Sequence, residues 1–376
     1  MMLLAASWVM TSITDSTVMV AMVQTAVSLP IVLFSIPFGL IGDRFGYRGF
    51  LIIAQLWMVI PASLLTVAAW SGRLRPWLLL ILLFLMGIGM VMQKAAWTPM
   101  LYDVAPVDEA VAVVSLTSLG NKGSQAIGPL IGGYLMGSFG AASLFAIRAL
   151  SHVIMLVTLT RVSRSAETPP AQRDSISDLR QSLAQGWRFT YQTPAIIGTL
   201  VRCVMLMTPW AGLLALLPLE AKLNIQTEVI GYGGLLTALG IGTVLSTSLM
   251  PILDKRVSMN ALATIALFVF SLGVLGISRW DSMLLDASFL FIVGLSFGVL
   301  SVSQQATVQS SSPDDIRGQI TSFYVLSVQG SMVAGSLLSG LLARYIGVSQ
   351  TIMVCGFIAM SALLLTRLFP LREATE

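Results

Sequence analysis

Long apolar runs separated by short polar turns constrain this sequence more than any other feature. Backbone N–H and C=O groups cannot stay unpaired in hydrocarbon, so a run of about 20 apolar residues predicts a spanning helix. Eleven runs are long enough, namely 18–41, 50–70, 77–101, 110–137, 141–160, 195–219, 229–252, 258–278, 284–308, 317–343 and 348–369. The predicted fold class is therefore an all-α, polytopic membrane protein with eleven full spans.

The opening stretch, Met1 to Thr14, is a further apolar run that is too short to span. As a helix it reaches about 21 Å, against a hydrocarbon core about 30 Å thick. We expect it to form the second half of a further helix. Two explanations stay open, a miscalled start codon, which we favour, and a first helix that is genuinely cut.

Composition excludes several classes of protein. Only 10% of the 376 residues are charged, whereas about 25% are charged in soluble domains. The hydrophobic fraction is 56%, against about 45–50% in soluble domains. The net charge of +4 does not indicate nucleic-acid binding, because Lys and Arg are scattered between apolar runs. Cys203 and Cys355 lie inside such runs and are expected to be buried thiols rather than a disulfide. No cleavable signal peptide is expected.

One long polar segment, 161–192, divides the sequence. In its second part, Ser175 and Asp178 have the spacing of a capping box, and apolar residues then recur at helical intervals. This predicts an amphipathic helix on the membrane surface, with a partly disordered linker as the alternative. The predicted organisation is an N-terminal helix bundle over 1–162, a cytoplasmic linker over 163–193, a C-terminal bundle over 194–370 and a cytoplasmic tail over 371–376.

Lys and Arg positions indicate the orientation, because cytoplasmic loops are enriched in both residues. With the linker in the cytoplasm, twelve basic residues lie on that side, namely Arg44, Arg48, Arg161, Arg164, Arg173, Arg180, Arg188, Lys255, Arg256, Arg317, Arg367 and Arg372. Five lie on the other side, namely Arg73, Arg75, Lys222, Arg279 and Arg344. The bias predicts a cytoplasmic C-terminus.

The two halves of the sequence resemble each other at a fixed offset of 207 residues. The register is ungapped and pairs Gly87 with Gly294, Asp108 with Asp315, Ser115 with Ser322, Gly123 with Gly330, Gly128 with Gly335, Gly133 with Gly340 and Gly140 with Gly347. Two six-helix halves in parallel repeat are a known transporter architecture, in which one half rocks against the other. We therefore expect two pseudo-symmetric six-helix bundles.

The turn after the second apolar run combines glycine, acidic and basic residues. Gly46 permits a tight turn. Asp43, at a membrane boundary, can accept hydrogen bonds from a helix N-terminus or pair with Arg, and Arg44 and Arg48 suit cytoplasmic headgroups. The residues indicate a gating turn, and a plain positive-inside turn is the structural alternative.

This turn resembles the signature of the major facilitator superfamily in Gly39, Asp43, Arg44, Gly46 and Arg48. It departs from that signature at Tyr47, where the superfamily usually has a basic residue. Asp254 and Lys255 repeat the acidic-basic pair in the second half, and the loop containing Asp315 and Arg317 lies on the same side. The resemblance implies a second-half gate at these four residues.

The fifth span holds a run of small residues that resembles the glycine-proline motif of the superfamily's antiporter branches, in Gly123, Gly128, Pro129, Gly132 and Gly133. Small residues let helices approach closely and a proline can kink a helix, so tight packing is the structural alternative. Further segments, 28–30, 231–236, 313–318 and 335–340, resemble the enterobactin-exporter and macrolide-efflux-like branch. That resemblance covers nearly the whole chain and implies proton-driven efflux across a bacterial inner membrane.

Ionisable residues within spans are candidate functional residues, because burying them in a membrane is costly. They are Lys94, Lys122, Arg148 and His152. The superfamily fold implies that Lys94 lines the cavity, that Lys122 is a second candidate, and that Arg148 and His152 lie on an outer helix where a structural role is the alternative. The spacings of a metal site, a catalytic triad or a nucleotide-binding loop are not found, so neither a cofactor nor an enzyme is expected.

The sequence thus predicts a monomeric secondary transporter that exports a small amphipathic molecule by alternating access, with protons as the coupling ion. An uptake permease of the same fold would share nearly every motif. A non-transporting membrane receptor or scaffold would need neither internal symmetry nor charges within the spans, so both features argue against this alternative. A membrane hydrolase would need a paired nucleophile and base at depth, and none is evident.

Overall fold

Thirteen α-helices make up the part of the chain that the computed structural model describes, which is residues 1–104, 110–161, 176–253, 257–277, 279–280, 282–313 and 316–368. No strand occurs among these residues. The side chains at 40, 42–45, 102–104, 110, 111, 114, 176–183 and 365–368 also lie outside the description. The helices are α1 (Met2–Ile13), α2 (Thr17–Phe45), α3 (Tyr47–Trp70), α4 (Pro76–Val104), α5 (Ala110–Phe139), α6 (Ala141–Arg161), α7 (Ile176–Gln192), α8 (Pro194–Leu223), α9 (Val229–Leu253), α10 (Met259–Gly276), α11 (Met283–Ser310), α12 (Arg317–Ile346) and α13 (Val348–Leu368).

Helices α2 to α6 and α8 to α13 coincide with the eleven predicted apolar runs. Within the described ranges, nine of them are long and apolar enough to cross a membrane, so the chain is a multi-pass membrane protein. Helix α5 has 30 residues, but its mean hydropathy is lowered by Lys122, Gln125 and its glycines. The apolar part of α13 within the described range is Val348–Leu364.

The two remaining helices are shorter. Helix α1 has 12 residues and is too short to span, as its sequence predicts. Helix α7 forms where an amphipathic helix is predicted. It packs on α12, with the rings of Trp187 and Phe323 5.6 Å apart and with Gly186 against Gln319. The linker helix is therefore attached to the second half, and the part of the linker at 163–175 lies outside the described residues.

The helices form two pseudo-symmetric halves, α1–α6 and α8–α13, and paired glycines occupy equivalent contacts in them. A methyl group added at Gly87, on α4, would lie 2.8 Å from Pro30 Cγ and 3.0 Å from the backbone oxygen of Val27, both on α2. In the second half, one added at Gly294, on α11, would overlap the backbone oxygen of Leu239 on α9. Both glycines thus allow a helix to approach its neighbour at backbone distance.

Other pairs in the repeat also match. Gly140 and Gly347 have φ of 78° and 90°, a region that favours glycine, and each forms the turn between two helices. Gly133, on α5, packs against α9, and Gly340, on α12, packs against α2. Gly133 of the first half thus contacts the second half, and Gly340 of the second half contacts the first half.

Two ends of the bundle are distinguished below. The linker side is the end where α6 stops and α8 starts, and it also holds the turn at Gly46 and the start of α12. The far side is the opposite end, and it holds the turns at Gly140 and Gly347.

Replacement of Gly294 by alanine tests the close packing of α9 and α11. Overpacking a tight contact typically costs about 1–3 kcal/mol, so we expect Gly294→Ala to lower the unfolding temperature of the purified protein in detergent. The matched control is Gly330→Ala, since nothing lies within 4 Å of a methyl group at Gly330 and alanine favours a helix by up to about 1 kcal/mol over glycine. Equal unfolding temperatures for the two variants would contradict this packing.

Candidate functional site

On the far side, α5 and α9 join the two halves through direct contact between their backbones. A methyl group added at Gly133 would lie 3.0 Å from the backbone oxygen of Val229 and 3.2 Å from Gly233 Cα. One added at Gly233 would lie 2.6 Å from the backbone oxygen of Pro129. Nearer mid-depth, one added at Gly240 would lie 2.6 Å from the backbone oxygen of Gln125 and 3.2 Å from Ala126 Cα. Larger side chains at these glycines would therefore force the halves apart.

The other residues of the antiporter-like run have different surroundings. Gly128 and Gly132 face the start of α1, where a methyl group would lie 4.0 Å and 3.2 Å from Met1 Cγ. Gly123 has nothing within 4 Å of such a methyl group. The structure thus places Pro129 and Gly133 at the interface between the halves, Gly128 and Gly132 within the first half, and Gly123 at neither contact.

The contact between α2 and α12 is reinforced by hydroxyl groups. The Thr17 hydroxyl donates to the backbone oxygen of Gly340 over 2.9 Å. Deeper in the bundle, the hydroxyl oxygens of Thr25 and Ser336 are 2.7 Å apart and buried. Burying hydroxyl groups without partners is costly, so these bonds favour one register between the two helices.

Helix α1 also reaches across to the second half. The ring of Trp8 stacks on that of Tyr232 of α9, with 5.5 Å between centroids and 21° between planes. The Lys222 ammonium, on α8, donates to the backbone oxygen of Thr11. This oxygen belongs to the last turn of α1, where carbonyls lack helical partners and the helix dipole favours a cation. Lys222 therefore closes the far side by capping a helix of the other half.

A buried carboxylate fixes the end of α8 that presents Lys222. Glu220 is fully buried. Its Oε2 accepts hydrogen bonds from Asn224 Nδ2 over 2.7 Å and from the Ser349 hydroxyl, on α13, over 3.2 Å. A carboxylate bound in this way holds the helix end in place.

On the linker side, the faces that pack together near the far side become exposed. On α4, Leu83 and Gly87 are buried, whereas Lys94 and Thr98 on the same face are exposed. On α5, Ala126 packs against α9, whereas the side chains on the same face further toward the linker side are exposed, namely Leu119 and Ser115. Along α5 and α9 the two halves therefore meet toward the far side and separate toward the linker side, and the space between them is called the cavity below.

Lys94 and Lys122 lie on the faces that line this cavity. Lys94 is on the α4 face of Gly87, two turns further toward the linker side. Lys122 is half-buried and lies one turn beyond Ala126, where α5 and α9 separate. Neither ammonium group has a hydrogen bond or an ion pair with any described residue.

Arg148 and His152 lie on α6, which packs against α3 inside the first half. His152 Nδ1 is 2.7 Å from Gln55 Oε1, and this buried bond joins α6 to α3 inside the first half. His152 Nε2 and Arg148 Nε are buried without a hydrogen-bond partner in the described part. This geometry favours the structural interpretation of His152, as a contact between two helices of one half.

Among the predicted gate residues, Arg48 and Arg317 have described side chains. The Arg48 guanidinium donates to the backbone oxygens of Leu159 and Thr160 over 3.0 Å and 3.1 Å, and so binds the C-terminal end of α6. An Arg317 N–H group donates to the backbone oxygen of Ser312 over 3.3 Å. Both contacts lie on the linker side and within one half.

The remaining gate positions can be placed only in part. Gly46 has φ of 76° and forms the turn between α2 and α3. A methyl group at Gly39 would have nothing within 4 Å. The side chains of Asp43 and Arg44 lie outside the description, as do the residues Asp254, Lys255 and Asp315. No group of three or more His, Cys, Asp or Glu residues that could hold a metal ion occurs in the described part of the chain.

Two pseudo-symmetric helix bundles are a known architecture of membrane transporters, and comparison with known proteins identifies a transporter rather than an enzyme. A sequence profile of the family described as "Transmembrane secretion effector" matches residues 1–376. The chain belongs to this family of the major facilitator superfamily.

Curated relatives are similar over most of the chain at low identity. The "Uncharacterized MFS-type transporter YfiS" of Bacillus subtilis is 26% identical over an alignment of 361 positions that covers 92% of this chain and 83% of that protein. Macrolide efflux protein A of Streptococcus pyogenes is 25% identical over 92% of this chain and 86% of its own length. Enterobactin exporter EntS of Escherichia coli is 27% identical over 77% of this chain and 68% of its own length.

Solved structures show the same fold. The nucleoside transporter NupG has a TM-score of 0.81 at 11% identity, with coverage of 98% of this chain and 95% of that chain. A bacterial homologue of the human lysosomal transporter Spinster, in an inward-facing and unoccupied conformation, has a TM-score of 0.73 at 13% identity, with coverage of 98% and 94%.

Removal of the Lys222 contact tests the closure of the far side. We expect Lys222→Gln to weaken the contact with Thr11 and to lengthen the distance between spin labels at Ser138 and Glu228, exposed far-side positions in opposite halves, measured by pulsed electron resonance in nanodiscs. Arg344→Gln is the control, because it removes an exposed cation from the far end of α12. Unchanged distances in Lys222→Gln would show that this contact does not hold the far side closed.

Proposed function

We propose that this protein exports a small amphipathic molecule from the cytoplasm by alternating access, in exchange for protons. The observation that supports this most directly is the cavity that is closed at the far side and open at the linker side. Such a state can load a solute from one compartment only. A complementary state, open at the far side, would release it into the other.

The orientation of the cavity rests on the distribution of basic residues. The sequence predicts twelve Lys and Arg residues at or beyond the span ends on the linker side and five on the far side, and the cytoplasmic side is the one enriched in these residues. The linker side is then the cytoplasmic side of a bacterial inner membrane, and the C-terminus, after α13, lies on the same side. In this orientation the cavity opens to the cytoplasm, where an exporter must load.

Two further observations support export over uptake. Pro129 and Gly133 of the antiporter-like run lie in the α5–α9 contact that closes the far side. Coupled transport in either direction needs this closure, so the support for export lies in the resemblance of the run to the motif of antiporter branches. In addition, two of the relatives are named as a macrolide efflux protein and an enterobactin exporter.

Direction and coupling can be measured together in inside-out membrane vesicles. We expect a radiolabelled catecholate to accumulate in vesicles that contain the protein and have an acidic interior. A protonophore should abolish this accumulation, because proton exit is proposed to drive solute entry. Accumulation only in right-side-out vesicles would favour an uptake permease, and accumulation that the protonophore does not change would refute proton coupling.

Asp43 is proposed to latch the linker side when the cavity closes there. It lies in the last turn of α2, and α2 already packs along α12 at Thr17–Gly340 and Thr25–Ser336. As the halves rock, the linker-side end of α2 approaches the start of α12. The first turn of α12 carries the partial positive charge of a helix N-terminus, which suits a carboxylate.

Asp43→Asn should therefore slow transport without preventing membrane insertion. Loss of a charged hydrogen bond costs about 1.5–3 kcal/mol, so we expect transport to fall about tenfold or more. Asp15→Asn is the control, because Asp15 is exposed at the far side between α1 and α2. The measurement is the initial rate of transport per molecule in the same vesicles, and a normal rate in Asp43→Asn would reject the latch.

A further inference from the structure

Charged residues are separated by depth in the described part of the chain. The carboxylates with described side chains are Asp15, Glu220, Glu228 and Asp286, and all four lie at the far side, either in turns or within one turn of a helix end. The basic residues described within the spans are Lys94, Lys122, Arg148 and Arg202. The middle of the bundle therefore has an excess of positive charge.

Lys94 and Lys122 are the two of these that line the cavity. Lys94 lies four residues from the midpoint of α4, about 6 Å toward the linker side, and Lys122 lies within three residues of the midpoint of α5, about 4 Å from it. Neither ammonium group has a partner among the described residues. A cation held near the middle of a membrane without a partner is costly, and a bound anion would offset that cost.

The surroundings of Lys122 suit a ligand that is both charged and apolar. Gln125 lies about one turn from Lys122 and is exposed, so it offers hydrogen-bonding groups. Leu116 and Leu119, one to two turns toward the linker side, are each 72% exposed. Large exposed apolar side chains beside a cationic group provide a surface for a hydrophobic body attached to an anionic group.

We propose that the cavity recognises an amphipathic anion, with its carboxylate, sulfonate or similar group bound by Lys94 and Lys122 and its apolar part against Leu116 and Leu119. This rests on the proposed function, because it names the chemical class of the exported substrate. It predicts that affinity depends on the negative charge of the ligand and on each of the two lysines.

The test uses two fluorescent probes that differ in one group. 8-Anilinonaphthalene-1-sulfonate has an anionic sulfonate, and N-phenyl-1-naphthylamine has the same rings without it. Binding of each to the full-length protein in nanodiscs is measured after subtraction of protein-free nanodiscs. We expect Lys94→Gln and Lys122→Gln each to weaken sulfonate binding about tenfold, as for loss of one charged contact, and to change binding of the neutral probe less than about twofold.

Two controls separate charge from folding. Arg73→Gln removes a cation from an exposed far-side turn and should leave both probes unaffected. Lys122→Arg keeps the charge and should keep sulfonate binding within about threefold of wild type, which a merely structural role for the ammonium group would not require. The unfolding temperature of each variant is measured in parallel.

The outcomes distinguish this inference from the proposed function. Equal loss for both probes, no effect of either lysine, or no sulfonate binding by wild type would overturn the anion site, even if the vesicles transport a solute. Lysine-dependent sulfonate binding without proton-driven accumulation in vesicles would uphold the anion site and refute export.

Discussion

Backbone contact between helices of opposite halves is the constraint on which the rest of the structure depends. At the far side, Gly133 and Gly233 leave no side chain between α5 and α9, so the two helices meet at backbone distance. Gly340 does the same for α12 against α2, where Val18 Cα would lie 3.2 Å from an added methyl group. These contacts draw the halves together at one end. The cavity exists because the same helices separate toward the linker side. It extends from the linker side as far as the first glycine contact between the halves.

The pseudo-symmetry of the fold does not extend to the polar groups that reinforce it. The α2–α12 contact has hydroxyl bonds from Thr17 and Thr25, whereas the α5–α9 contact at Gly133, Gly233 and Gly240 is made with backbone atoms. Lys222 adds a cation from the second half to the end of α1. The repeat thus supplies a shared packing geometry, and individual polar residues within each half determine how firmly each contact is held.

The sequence predicts the helices and the repeat because both depend on local patterns. Apolar runs specify spans, and the 207-residue offset places Gly87 and Gly294 in equivalent contacts. The glycine-proline run predicts tight packing of α5, but it does not identify α9 as the partner. Lys222–Thr11 joins residues 211 positions apart, and no periodicity or motif signals such a pair. The partner of Lys222 is a backbone oxygen, which every residue has, so the sequence alone does not single it out.

The smoothness of the glycine contacts has a kinetic consequence. A seam of interlocked side chains would need several rotamer changes before it could part, and each would add to the barrier. Gly133 and Gly233 have no side chains, so at this contact no side chain has to leave a packed position before the helices separate. The hydroxyls of Thr17 and Thr25 can exchange their protein partners for water as they separate, at little net cost. A contact of this kind can separate and re-form with a low barrier. This suits a protein in which the two halves must move apart and together once for every molecule transported.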